Sequence, residues 1–352
     1  MGISDIFNRF AVQECKGSSR LYEFLSLCIA EDEELLQLAS HSQKGQPIPN
    51  LLFASVHYLL LSGVEHDLKY FYRSLVDQIE EAESSFGPFK DFCLNYDQEL
   101  IELLQSMAVQ TNEVRRCAYL YPCFSYVHHI SEKALSLLEI GTSSGMNLFW
   151  DQFKYNYYDG EIYGNKESNV LITSEIVGEK SPFLLKNSPP IVSRVGVDLN
   201  IIDLNNPDHF LWLKALIWPD HKDRLQLFHS AASIVRKQEK HLIEGDGVDL
   251  LESLVEQIPA DSALCIYHTH VANQMPKEVK EEFLCKIEKI AESREVYHLY
   301  NNVNDKYLHL DYFLDGAESK NIIAETDGHA RWFRWLKMKR LRRIVEKGKE
   351  WF

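Results

Sequence analysis

From Ala134 onward, short apolar runs alternate with amphipathic stretches, and nothing else in the chain restricts its fold as tightly. The runs are residues 135–140, 191–199, 241–244, 263–267 and 295–300, with helical patterns at 207–217, 223–237 and 277–291 between them. Strands alternating with helices build a mostly parallel sheet covered on both faces, a three-layer α/β sandwich. Two further runs, 309–314 and 321–325, flank Asp315-Gly316-Ala317-Glu318 and are expected to form an antiparallel hairpin ending the sheet. Residues 155–190 carry the turn pairs Asp159-Gly160, Gly164-Asn165 and Pro189-Pro190, which predict an insertion with its own small strands over the sheet edge.

Residues 1–112 read differently. Apolar residues recur at helical spacing in Arg20-Leu21-Tyr22-Glu23-Phe24-Leu25 and again at Leu100, Leu103, Leu104 and Met107. The expected division is a helical domain at 1–112 and an α/β domain at 113–352. Acidic residues outnumber basic ones by 52 to 37, a net charge of −15, and a surface that negative repels a phosphate backbone. Nucleic acid is therefore not expected as a partner. The longest apolar stretch, residues 51–64, carries His57 and Tyr58 and falls short of the roughly 20 residues that span a bilayer. The amino terminus shows no signal-peptide pattern, and seven cysteines without a CxxC pair suit free thiols in a reducing cytoplasm. Cys117 and Cys123 with His128 and His129 match no structural zinc spacing. Residues 331–349 hold nine basic residues and one acidic one, and Trp332, Trp335, Leu336, Leu341, Ile344 and Val345 predict an amphipathic carboxyl-terminal helix with a basic face.

The chemistry is expected where the first apolar run ends, in Leu137-Leu138-Glu139-Ile140-Gly141-Thr142-Ser143-Ser144-Gly145-Met146-Asn147. A buried strand closing on an acid, a turn of small residues and a helix start leave backbone N–H groups available to polar ligand atoms. Gly141 and Gly145 do not have the GxGxxG spacing, and no Lys-Ser or Lys-Thr follows as in a phosphate-binding loop. Later strands also end in acids: Asp198 in Val195-Gly196-Val197-Asp198, and Asp246 in Leu242-Ile243-Glu244-Gly245-Asp246. The run 263–267 ends in His268-Thr269-His270. In a parallel sheet these ends share one rim, where such folds bind ligands.

This series resembles the class I S-adenosylmethionine-dependent methyltransferases, across about two-thirds of the chain. The resemblance implies that Glu139, Gly141, Ser143 and Gly145 form the cofactor loop. It makes Asp198 the ribose-binding acid and Asp246 the adenine-contacting acid, with His268 to His270 in the substrate-facing loop. It departs where Ser143 replaces a glycine and where the insertion lengthens the span before Asp198. The strings Leu138-Glu139-Ile140-Gly141-Thr142-Ser143-Ser144-Gly145-Met146-Asn147-Leu148, Ala215-Leu216-Ile217-Trp218-Pro219-Asp220 and Gly328-His329-Ala330-Arg331-Trp332 also resemble a bacterial family known as domain of unknown function 2332. That family implies a fold without a substrate.

The expected activity is methyl transfer to a small-molecule acceptor, with His268 or His270 as base. Asp220 and Arg224, after the Trp-Pro-Asp turn, are candidate substrate contacts. So are Tyr121 and Tyr126, in an aromatic segment whose Tyr-Pro step is expected to break a helix and lie over the rim. Gly141-Thr142-Ser143-Ser144-Gly145 also matches a GxSxG nucleophile elbow, with Asp246 and His268 following as a triad would require. A non-catalytic cofactor sensor on the same fold is the remaining alternative. His268, His270 and His329 could be drawn as a zinc site, but no metal is assigned.

Overall fold

All six residues of the strand Leu135–Ile140 are buried, as a run flanked by strands on both edges and helices on both faces must be. In the computed structural model, which describes residues 2–314 and 316–336, this strand pairs in parallel with Ile191–Asp198 and with Ala263–His268. His241–Glu244 continues the parallel array beside Ile191–Asp198, and Val296–Tyr300 continues it beside Ala263–His268. Beyond Val296–Tyr300 the sheet turns antiparallel through Leu308–Leu314, Ile322–Thr326 and Trp332–Trp335. The fold is thus mixed α/β around a large, mostly parallel sheet. The chain winds from the central strand to one side, then returns to Ala263–His268 on the other, and the carboxyl ends of strands at such a reversal are where open α/β sheets bind ligands.

Alternate residues sort by face. Leu138, Ile140, Val195, Val197, Leu264 and Ile266 form one core with Leu251, Leu254 and Val255 of the helix Leu251–Glu256 and Phe283, Ile287 and Ile290 of Lys277–Ala291. Each such side chain contributes about 1.5–3 kcal/mol by leaving water. Glu139, in register with Gly196 and Tyr267, lies on the opposite face. There Phe124 of the helix Cys117–Ser131 packs on Tyr267 and Trp150.

That helix corrects the expectation of a break at Tyr121-Pro122, since Pro122 lies inside it. Proline supplies no N–H to the carbonyl four residues earlier, which here is Ala118. The Tyr157 hydroxyl donates to that carbonyl at 2.8 Å and replaces the missing bond. The carboxyl-terminal expectation is corrected too. Trp332–Trp335 is a strand between Ile322–Thr326 and Glu175–Ile176, not the start of a helix, and residues 337–352 lie outside the described residues. In the insertion, Lys154–Asn156 pairs with Tyr163–Gly164 and Leu171–Thr173 as a separate small sheet.

Contacts group the described residues into two units. One joins the chain up to Thr111 with the excursion Asp203–Phe228, which a division at residue 112 does not contain. Its center is the helix Ile48–Leu61, whose His57 bonds Ala215 O at 2.9 Å and Ser74 Oγ at 2.7 Å. The other unit, from Asn112 to Ile202 and from His229 onward, holds the sheet. Among the described residues no helix is long and apolar enough to cross a membrane.

Removing the hydroxyl in Tyr157→Phe is expected to cost about 1–2 kcal/mol in urea unfolding, because it strands the Ala118 carbonyl. Placed in a Pro122→Ala background, which restores the helical N–H, the same change should cost less than half as much. Equal costs in the two backgrounds would show that the hydroxyl does not replace the proline's missing bond.

Candidate ligand-binding rim

Three left-handed residues shape the turn after the central strand: Gly141 at φ +76°, Ser143 at +53° and Gly145 at +76°. A Cβ on Gly141 would sit 2.3 Å from the Val271 side chain, so the turn lies directly against the segment following Ala263–His268. For Ser143 the left-handed conformation costs roughly 1–2 kcal/mol. Its N–H donates to Asp198 Oδ2 at 2.7 Å, a charge-assisted bond that offsets the strain. Its Oγ is buried and has no hydrogen-bond partner.

Glu139 is buried beneath this turn, and Thr142 Oγ1 donates to its carboxyl at 2.7 Å. The space for Thr142 exists because Gly196 has no side chain; a Cβ there would meet Thr142 Oγ1 at 2.6 Å. Burial pushes the Glu139 pKa from 4.5 up to about 8; the Thr142 bond opposes this and the Asp198 charge adds to it. At neutral pH this carboxyl is mostly protonated.

Asp198 is aligned with Glu244 across the neighboring strand pair. Asp246 Oδ1 accepts the N–H groups of Val248 at 2.8 Å and Asp249 at 3.3 Å, capping its own turn. Glu244 was overlooked beside Asp246, although both stand in the same five-residue string; its Oε2 accepts the Ile201 N–H at 3.4 Å.

His268 and His270 separate sharply. His268 is fully buried against Phe283 and Tyr300, with its Nε2 3.3 Å from His298 Nε2, and burial lowers its pKa to about 3. His270 precedes Val271, the residue against the glycine turn. Its backbone is left-handed at φ +58°, its N–H donates to Asn301 Oδ1 at 2.7 Å, and its Nε2 is buried without a partner. Burial, then the charges of Arg116 and His329, lower its pKa to about 3 as well. Imidazoles held so far below neutral pH accept protons weakly.

The remaining candidates lie elsewhere. Tyr121 is fully buried between Trp150 and Tyr155, and its hydroxyl donates to Leu185 O at 2.7 Å. Tyr126, on the same helix, packs edge-on to Phe183. Asp220 and Arg224 belong to the helical unit, where Ser19 Oγ donates to Asp220 and Arg224 donates to His221 Nδ1 at 2.8 Å. Among the described residues no three His, Cys, Asp or Glu side chains converge as metal ligands.

Two rim residues had no local sequence signal. Asn112 Nδ2 donates to Thr142 O at 3.0 Å and to Ser144 Oγ at 3.1 Å. Arg116 reaches Thr269 O at 3.5 Å from the turn before the helix Cys117–Ser131.

Fold and rim together define an α/β protein with a candidate small-ligand site at the winding reversal of its sheet. The family model described as an uncharacterized protein conserved in bacteria, DUF2332, matches residues 4–335, and the chain belongs to that family. No curated protein matches the chain.

Glu139 has a measurable signature. Because its folded pKa is raised from 4.5 to about 8, its contribution to stability is complete below about pH 4.5, where both states hold the proton. It is lost as pH rises toward about 8, since the unfolded chain releases its proton first. Urea unfolding of wild type should weaken by on the order of 3 kcal/mol over that interval relative to Glu139→Gln, which cannot ionize. Parallel pH profiles for the two proteins would refute the neutral carboxyl.

Proposed function

We propose that the rim binds S-adenosylmethionine and that the protein transfers the cofactor's methyl group to a small acceptor. One observation carries the reading: acids end three neighboring parallel strands, as Glu139, Asp198 and Glu244 with Asp246, around a glycine turn at the winding reversal. The resemblance to class I methyltransferases assigns the same parts to this cofactor. Asp198 would hold its ribose hydroxyls, and Asp246 would lie on its adenine side. The Ser143 Oγ, buried and unpartnered, fits a ligand atom, and the exposed Leu199 beside Asp198 offers apolar surface to a planar ring.

When bound, the cofactor supplies an electrophilic methyl group on a sulfonium. The chain itself aligns and desolvates the reactants, which is the larger part of such a displacement. The Ser143–Asp198 bond fixes the turn, and the protonated Glu139 keeps a second negative charge from beneath it. His270, beside the turn, orients the acceptor.

One observation favors the hydrolase alternative: the left-handed Ser143 is the backbone a nucleophile elbow uses. Its Oγ has no partner, however, and a serine nucleophile needs a base within hydrogen-bond reach. The two readings separate experimentally. Calorimetry should detect S-adenosylmethionine binding to wild type and at least about tenfold weaker binding to Asp198→Ala. No heat in wild type at millimolar ligand would end the reading. Ser143→Ala should leave transfer within a few-fold, whereas complete loss of an ester-cleaving activity in that variant would establish the hydrolase. Binding without turnover against any acceptor would leave a sensor.

A further inference from the structure

The geometry points to an anion subsite beside the glycine turn, in which Arg116, Tyr119, His270 and Asn301 take the carboxylate of a small organic acid. Arg116 is a partly buried cation, and among the described residues its guanidinium is paired with no carboxylate. One terminal nitrogen makes a 3.5 Å contact with Thr269 O, and the Nε–H is buried with no acceptor. An ionized group in that position is costly unless a counter-charge reaches it.

Among the described residues no carboxylate supplies that counter-charge at contact. Glu139, the acid in the field of Arg116, is itself held in its neutral form. Asp327, whose charge reaches His270, is bound three times over by Arg331 at 2.9–3.1 Å. His329 faces the same imidazole and is a cation when charged.

Three neutral donors are also buried without acceptors: the Tyr119 hydroxyl and His270 Nε2, both in the field of Arg116, and Asn301 Nδ2, on the residue that accepts the His270 N–H. The orientations of Asn301 and His270 are fixed by the bonds they do make. Asn301 Oδ1 accepts the His270 N–H at 2.7 Å, which turns its Nδ2 to the other side. Asn302 Nδ2 meets His270 Nδ1 at 3.4 Å, so Nδ1 accepts and Nε2 carries the proton. One cation with three neutral donors matches a single planar negative charge; a phosphate dianion asks for more positive charge. That the bound carboxylate belongs to the methyl acceptor rests on the reading proposed above. The subsite itself does not.

Benzoate, benzamide and inorganic phosphate serve as probes on the full chain, followed by ligand-observed NMR. Benzoate should bind wild type in the millimolar range and benzamide at least about tenfold more weakly. Arg116→Lys keeps the charge but loses the planar fork, and should weaken benzoate about tenfold. Asn301→Asp, nearly isosteric but negative, should weaken it further. Equal binding of benzoate and benzamide overturns the subsite on wild type alone, even if neither variant folds. So do undiminished benzoate affinity in folded Arg116→Lys and Asn301→Asp, or phosphate binding as tight as benzoate. The same titration beside S-adenosylmethionine calorimetry separates the two proposals. Benzoate preference without cofactor affinity keeps the subsite and removes methyl transfer; the reverse removes only the subsite.

Discussion

The 2.7 Å hydrogen bond from the Ser143 N–H to Asp198 Oδ2 joins the turn after the central strand to the end of the neighboring strand. Parallel pairing puts Ile140 opposite Val197, so Asp198 stands one residue further on, level with the turn. A left-handed non-glycine residue persists only where its surroundings over-determine it. Here they do: Val197 O accepts the N–H groups of Gly141 and Thr142, and Thr142 O accepts that of Gly145. The missing side chain at Gly196 then admits Thr142, and Thr142 satisfies the buried Glu139. Turn, acid and neighboring strand therefore stand or fall together.

Elsewhere in the sheet unit two cations are better satisfied, although the Arg294 Nε is buried without a partner as well. Arg194 donates to Asp151 at 2.7 Å and to Leu148 O at 3.1 Å, and Arg294 reaches the carbonyls of Ile258, Pro259 and Ser262. Single orphaned atoms such as the Tyr297 and Tyr312 hydroxyls occur there as well. Around Thr269 and His270 several occur together with Arg116. A concentration of unsatisfied buried groups calls for a physical explanation, and the subsite proposed above is one.

The strands were legible because each run centers on branched apolar residues: Leu135–Ile140 and His241–Glu244 match the bounds read from the sequence, and Lys277–Ala291 matches as a helix. Local pattern suffices where local burial decides. It failed where a distant group decides. Pro122 stays helical because of a hydroxyl at Tyr157, and Trp332–Trp335 is a strand because Ile322–Thr326 and Glu175–Ile176 flank it. The rim was legible by its acids and glycines, which sit at strand ends. Arg116 and Asn112 were not, since nothing in their neighborhood marks which strand end they will meet.

The overall charge and the local site pull in opposite directions. At −15 the protein repels a small anion at long range, yet Arg116 and the donors around it attract one at contact. Long-range repulsion between solvated charges is screened over about 8 Å at physiological salt, so it acts on the approach. A contact inside a partly buried site is screened far less and acts on how long the ligand stays. The sheet reconciles the two by suppressing charge where it would interfere. Glu139 lies on the same face as the helix that follows Arg116, and desolvation keeps it protonated instead of letting it neutralize the guanidinium. Arg116 and Glu139 act on each other through their field and not through a contact ion pair, so the neutral carboxyl leaves the guanidinium's positive field undiminished. The buried acid at the end of the central strand thus serves the turn above it through a hydrogen bond, and serves the neighboring cation by remaining uncharged.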